Sequence, residues 1–176
     1  MAKNKKDEQR SAMGERLNVL RAGVLGSNDG ILTVVGVLFS VAVATSNRFT
    51  IFIAGLSDLL ACAFSMASGE YASVSTQRDM EQVTVKEEQA LLKKDREGEL
   101  AAVRKYYMEK GVSEETAEDI AEDLLNKKPL ETVVDVKHGL ILNEYMNPWN
   151  AAFSSLISAS LGGIFPLAAM TFSPVK

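Results

Sequence analysis

Three stretches of this chain are as long and as apolar as a bilayer is thick, and that limits the folds open to it more than any motif does. A spanning helix needs about 20 mainly apolar residues. Segments 22–46, 49–70 and 149–172 meet that length. Gly30–Asn47 carries no charge, Phe49–Gly69 carries only Asp58, and Trp149–Phe172 carries none. Lipid offers no partner to a free backbone N–H or C=O, so such stretches cross as helices or in closed barrels. Runs this long and this poor in alternation favour helices. Mean hydropathy is near zero (+0.02) only because apolar ends offset a charged middle.

The expected fold is therefore all-α. An N-terminal segment (1–21) precedes two membrane helices (22–46 and 49–70). A three-helix module (71–147) follows, and then a third membrane helix (149–172). The first 14 residues are polar and expected to be mobile, with Glu15–Arg21 as an amphipathic lead-in. The first apolar run starts beyond residue 20 and lacks a small-residue cleavage site, so it does not read as a signal peptide. Within the module, Glu99–Lys110 reads as a helix stopped by Gly111. Ser113 is the expected N-cap of the next helix, with acids in its first turn. Lys127-Lys128-Pro129 breaks the chain before a helix over Leu130–Leu142.

The basic residues set an expected orientation. Lys3, Lys5, Lys6, Arg10, Arg16 and Arg21 precede the first span, whereas the first connection holds only Arg48. Residues 78–147 hold eleven Lys or Arg against seventeen Asp or Glu. Positive charge stays on the cytoplasmic side. The N-terminus and the middle module are thus expected in the cytoplasm, the Asn47–Arg48 turn on the far side, and Trp149 at the interface. Brevity and the lack of a targeting segment favour a prokaryotic inner (plasma) membrane.

Asp29 and Asp58 are the residues that need explaining. A carboxylate at bilayer depth costs about 2.5–3.5 kcal/mol on insertion scales, so it faces a partner, an ion or water. Asp29 lies seven residues into the first span, about 10 Å along a helix. It is either a pathway group or a boundary residue reaching back to water. Asp58, Cys62, Ser65, Met66 and Gly69 share one helical face. A hard carboxylate beside a soft thioether suits a borderline divalent transition metal better than Ca²⁺ or Mg²⁺. A lone Met is more often packing filler, and Asp58 has Ser57 and Thr33 within reach as hydrogen-bond partners. Glu70 ends the second span, as an entrance ligand or as an interfacial charge. In the module, Glu81, Glu88, Asp95 and Glu99 are spaced to share a helical face, where like charges repel unless a cation neutralises them. A generic solvated face is the commoner reading of such spacing. His138 is the single histidine; it can serve as a metal ligand beside these acids, although a lone histidine more often does not. No nucleophile triad, P-loop or dinucleotide fingerprint is present, so no enzyme reading competes. The basic N-terminus is explained by topology without nucleic acid.

Taken together, GSNDGILTVVGVLFSVA (26–42), GLSDLLACAFSMASGEYASVSTQRDMEQ (55–82) and NPW…SLGGIFPL (147–167) resemble the vacuolar iron transporter family. The likeness runs over almost everything beyond residue 14. It implies a homodimer in a lipid bilayer that moves Fe²⁺, and often Mn²⁺, out of the cytosol in exchange for protons, with no permanently bound cofactor. It places Asp29, Asp58 and Met66 on the transmembrane path, and Glu88 and Glu99 in a cytoplasmic metal-binding domain. Glu81 and Asp95 are added by helical spacing alone. Family members usually have five spans, and three are seen here. That departure implies a truncated gene, a fragment or a need for another subunit. It keeps open a membrane-tethered metal buffer or sensor, or a non-transporting partner of a full-length relative. Where many relatives have a Glu at the end of the third module helix, this chain has His138, as a substitute ligand or as a weakened site.

Overall fold

A computed structural model describes residues 5–172, with side chains from Met13 onward. Among the described residues the chain is all-α, as expected: α1 (Lys5–Ala44), α2 (Arg48–Lys94), α3 (Arg96–Glu109), α4 (Glu114–Lys127), α5 (Pro129–His138) and α6 (Pro148–Phe172). The described residues fall into two compact units, one of residues 8–76 and 146–172, the other of residues 5–7 and 77–145.

In the first unit, α1, α6 and the first half of α2 are long and apolar enough to cross a membrane. Thr45–Asn47 joins α1 to α2, and the Asn47 side chain accepts a hydrogen bond from the Thr50 N–H (3.2 Å), capping α2. The core between the three helices is Val34, Leu38, Ile51, Leu59 and Leu167. Small residues bring α1 and α6 together. A Cβ built on Gly30 would run into the Ala159 backbone, and one on Gly162 into the Ser27 backbone. This is the close approach that small residues permit when lipid supplies no hydrophobic drive between helices. The outer faces stay apolar and exposed, with Phe39, Val43, Phe64, Phe165 and Phe172 among them. The Trp149 ring lies against Tyr71 (centroids 4.8 Å apart).

In the second unit, α3, α4 and α5 close on Val103, Ala121, Leu125 and Val133, with Leu92 from the end of α2 against them. Arg104 bridges α3 to Glu118 of α4 (2.7 Å), and Arg96 reaches Asn126 (2.6 Å). Gly111, at φ 91°, follows α3 as its place in the sequence led us to expect. Helix α2 runs unbroken past the second apolar stretch to Lys94, where Asp95 accepts a hydrogen bond from the Gly98 N–H (2.9 Å) and starts α3. Three local expectations change. Residues from Lys5 to Gly14 are helical rather than loose. Helix α5 ends at His138 rather than Leu142, because Gly139 takes the left-handed conformation (φ 67°) and turns the chain. Ser113 sits at the α4 N-cap, yet its hydroxyl donates to the Thr116 hydroxyl (2.9 Å) instead of capping a backbone N–H.

Candidate functional site

The intramembrane carboxylates come from neighbouring helices. Asp29 lies on α1, one turn past Gly26, and the Cys62 thiol of α2 donates to its Oδ2 at 3.4 Å. Cys62 is buried with Ala63 and Ala159, and half-buried Met66 packs on the same cluster. Asp29, half-buried, is thus turned towards α2 and accepts a hydrogen bond there.

Asp58 is the anomaly. Its Oδ2 is sealed from solvent and meets no hydrogen-bond donor. The partners within reach in sequence do not serve it. Ser57 donates to the Ile53 carbonyl (2.8 Å), and the Thr33 hydroxyl is itself buried without a hydrogen bond. Ser155 of α6, fully buried opposite Gly26, is a third polar atom left unsatisfied in the same three-helix interior. An unsatisfied buried polar group costs about 1–3 kcal/mol, and more when charged. Thr33, Asp58 and Ser155 thus put three unsatisfied polar atoms on the membrane helices α1, α2 and α6.

The face drawn from spacing is narrower in the fold. Asp58, Cys62 and Met66 point inward, whereas Ser65 and Gly69 are exposed. Glu70 ends the stripe, its side chain largely buried, with Arg21 of α1 at 3.5 Å from its Oε2. Sequence reading missed Ser155 and the Arg21–Glu70 pair. It used Arg21 only for topology, and a serine in an apolar helix carries no signal of its own.

In the helical unit the proposed acids separate. Glu88 (4% exposed) and Glu99 (6% exposed) are buried and adjacent. His138 Nε2 lies 2.8 Å from Glu88 Oε1. Lys137, which spacing did not single out, reaches Glu88 (2.7 Å) and Glu99 (3.0 Å). Burial alone would push the Glu88 carboxyl up, but His138 and Lys137 outweigh it and hold the carboxyl below its ordinary range. Burial would likewise lower Lys137, and Glu88 with Glu99 raise it instead. Asp95 is spent on the α3 cap. Glu81 accepts from Gln77 (3.0 Å), one turn away on the same helix. Among the described residues, no three His, Cys, Asp or Glu side chains are arranged to hold a metal ion.

A profile of the VIT family matches residues 20–176. The chain is 34% identical over 157 residues to a vacuolar iron transporter of Acanthamoeba castellanii, covering 89% of this chain and 57% of that protein. It is 42% identical over 69 residues to vacuolar iron transporter homolog 5 of rice, covering 39% of this chain and 33% of the homolog. Over 72 residues it is 40% identical to homolog 2.1 of Arabidopsis thaliana, covering 41% and 33%. The chain therefore spans a little over half the length of the amoebal relative, and a third of the plant ones.

Proposed function

This chain belongs to the VIT family, and from that premise we propose that it carries Fe²⁺, with Mn²⁺ as a second cargo, out of the cytosol across a membrane in exchange for protons. The observation that carries the reading is the Asp58 oxygen, buried between spans with no donor to satisfy it. A carboxylate kept there at a cost to stability has a use for a cation.

The chemistry follows from the lining. Asp29 and Asp58 together offer two negative charges, matching one divalent ion. Cys62 and Met66 add sulfur donors on the α2 face, which a borderline metal accepts and Ca²⁺ or Mg²⁺ does not. Metal binds the deprotonated carboxylates, so protons and metal compete for the same oxygens. Alternate occupancy on the two sides gives exchange. The helical unit contributes by charge, since its excess of acids raises the local concentration of cations. Its proposed position is cytoplasmic, on the side of the basic N-terminus. In the working state the chain is a homodimer, with the exposed apolar faces of α1, α2 and α6 offering surface to a partner as well as to lipid.

The test is Fe²⁺ flux into proteoliposomes under a proton gradient, read by a metal-quenched dye in the lumen. The wild-type chain is expected to move metal, with the lumenal pH changing in step. Asp58→Ala is expected to insert normally and to move none. Undiminished flux in that variant removes Asp58 from the path. Metal binding by the wild-type chain without flux would instead favour the membrane-tethered buffer.

A further inference from the structure

The acid pair of the helical unit has its own cation. Glu88 comes from α2, Glu99 from α3, and Lys137 and His138 from the last turn of α5. An ammonium has three N–H donors and no acceptor. Lys137 Nζ meets Glu88 Oε2 at 2.7 Å, Glu99 Oε1 at 3.0 Å and Glu99 Oε2 at 3.2 Å. The remaining oxygen, Glu88 Oε1, faces His138 Nε2 at 2.8 Å. All four carboxylate oxygens are thereby engaged by side chains of α5, and both glutamates are buried.

We infer that Lys137 is a tethered counter-cation that closes the Glu88–Glu99 cluster to divalent metal, so that this unit folds without a metal ion. A divalent ion entering the cluster would have to displace an ammonium held by covalent attachment to α5, at an effective concentration of about millimolar or more. It would also take His138 from Glu88. The inference concerns binding in the helical unit and goes beyond the proposed transport, whose failure would show as lost flux and leave the gain of Mn²⁺ in Lys137→Met unchanged.

The experiment uses the full chain in detergent, with Mn²⁺ counted by its electron paramagnetic resonance signal. Wild type and Lys137→Arg should bind equal amounts, and Glu88→Gln/Glu99→Gln should not lower the count. Lys137→Met, which keeps the apolar stem and removes the charge, should gain one Mn²⁺ per chain, at least ten-fold tighter than any uptake at the cluster in wild type. That gain should vanish in Lys137→Met/Glu99→Gln. A bound Mn²⁺ lost from the wild-type count in Glu88→Gln/Glu99→Gln means the cluster is already open and overturns the inference. So does a Lys137→Met chain that gains nothing. Should Lys137→Met loosen the unit, its thermal melt is followed by circular dichroism with and without Mn²⁺. Recovery with the metal supports the inference, and no recovery overturns it.

Discussion

A buried carboxylate oxygen without a donor weakens a fold, and Asp58 should show this in two opposite readouts. Its Oδ2 has no hydrogen-bond partner, so replacing Asp58 by Ala removes a buried, unsatisfied polar atom and loses no hydrogen bond there. Stability is then expected to hold or to rise by about 1–3 kcal/mol, while transport disappears. Active groups are commonly kept at such a cost. A melting temperature that falls in detergent by more than a few degrees would mean that Asp58 is structural. Glu88 makes the contrasting case, a buried carboxylate fully served. Its folded pKa lies below the ordinary 4.5 because His138 and Lys137 overcome the effect of burial. A carboxyl so depressed contributes stability that is fully present above its unfolded pKa and is lost as pH falls through the lowered folded value. Lys137 runs the other way, since its folded value lies above 10.5. Its contribution is complete below 10.5 and is lost as pH rises through the raised value. Protection of the α5 amides, corrected for the intrinsic slowing of exchange in acid, should therefore fall below about pH 4.5 in wild type. In Glu88→Gln the step should be absent, with exchange already faster at neutral pH. Equal acid profiles in the two chains would contradict the contact.

The same logic at the level of helices turns on where a side chain has room. Gly30 and Gly162 face backbone on the partner helix, whereas a Cβ added to Gly36 would meet nothing within 4 Å. Gly30→Ala should push α1 and α6 apart and cost about 1–3 kcal/mol through overpacking. Gly36→Ala should be neutral or stabilising by at most about 1 kcal/mol, since alanine is the better helix former. Thermal unfolding of the two variants side by side checks the pair, and equal losses would mean that the α1–α6 contact does not hold the unit together. Glycine density alone did not distinguish these positions, because the distinction depends on which face meets α6. Helix ends were legible at one glycine that takes the left-handed conformation, Gly111 (φ 91°), though not at the other, Gly139 (φ 67°), beyond which the expected helix ran on to Leu142. They were less so where a side chain decided. Asp95 reads as one more acid in a charged run until Gly98 N–H is seen to bond to it. Asp95→Ala should cost about 1 kcal/mol, the usual loss of an N-cap.

For the whole molecule, amphipathic contrast made the architecture readable. Three apolar stretches became three long helices with exposed apolar faces, because lipid-length hydrophobicity leaves little choice of structure. The site was legible only in its charges. Asp29 and Asp58 were conspicuous because lipid penalises them, but Ser155 and Lys137 acquire meaning only from residues more than thirty positions away, such as Gly26 and Glu99. Orientation rests on the same charge argument and can be tested in the intact chain. Six Lys or Arg precede the first span and eleven lie in residues 78–147, against Arg48 alone between the first two spans. A bias of that size predicts both basic regions on one side. In a Cys62→Ser background, single cysteines at Ser113 and at Asn47 should then react with a membrane-impermeant maleimide from opposite faces of sealed vesicles. Ser113→Cys should be labelled only when the cytoplasmic face is exposed, and Asn47→Cys only when the other is. Labelling of both from one face would place the helical unit beside the α1–α2 turn. The acid-rich unit would then lie on the delivery side of the path, and export from the cytosol could not begin at it.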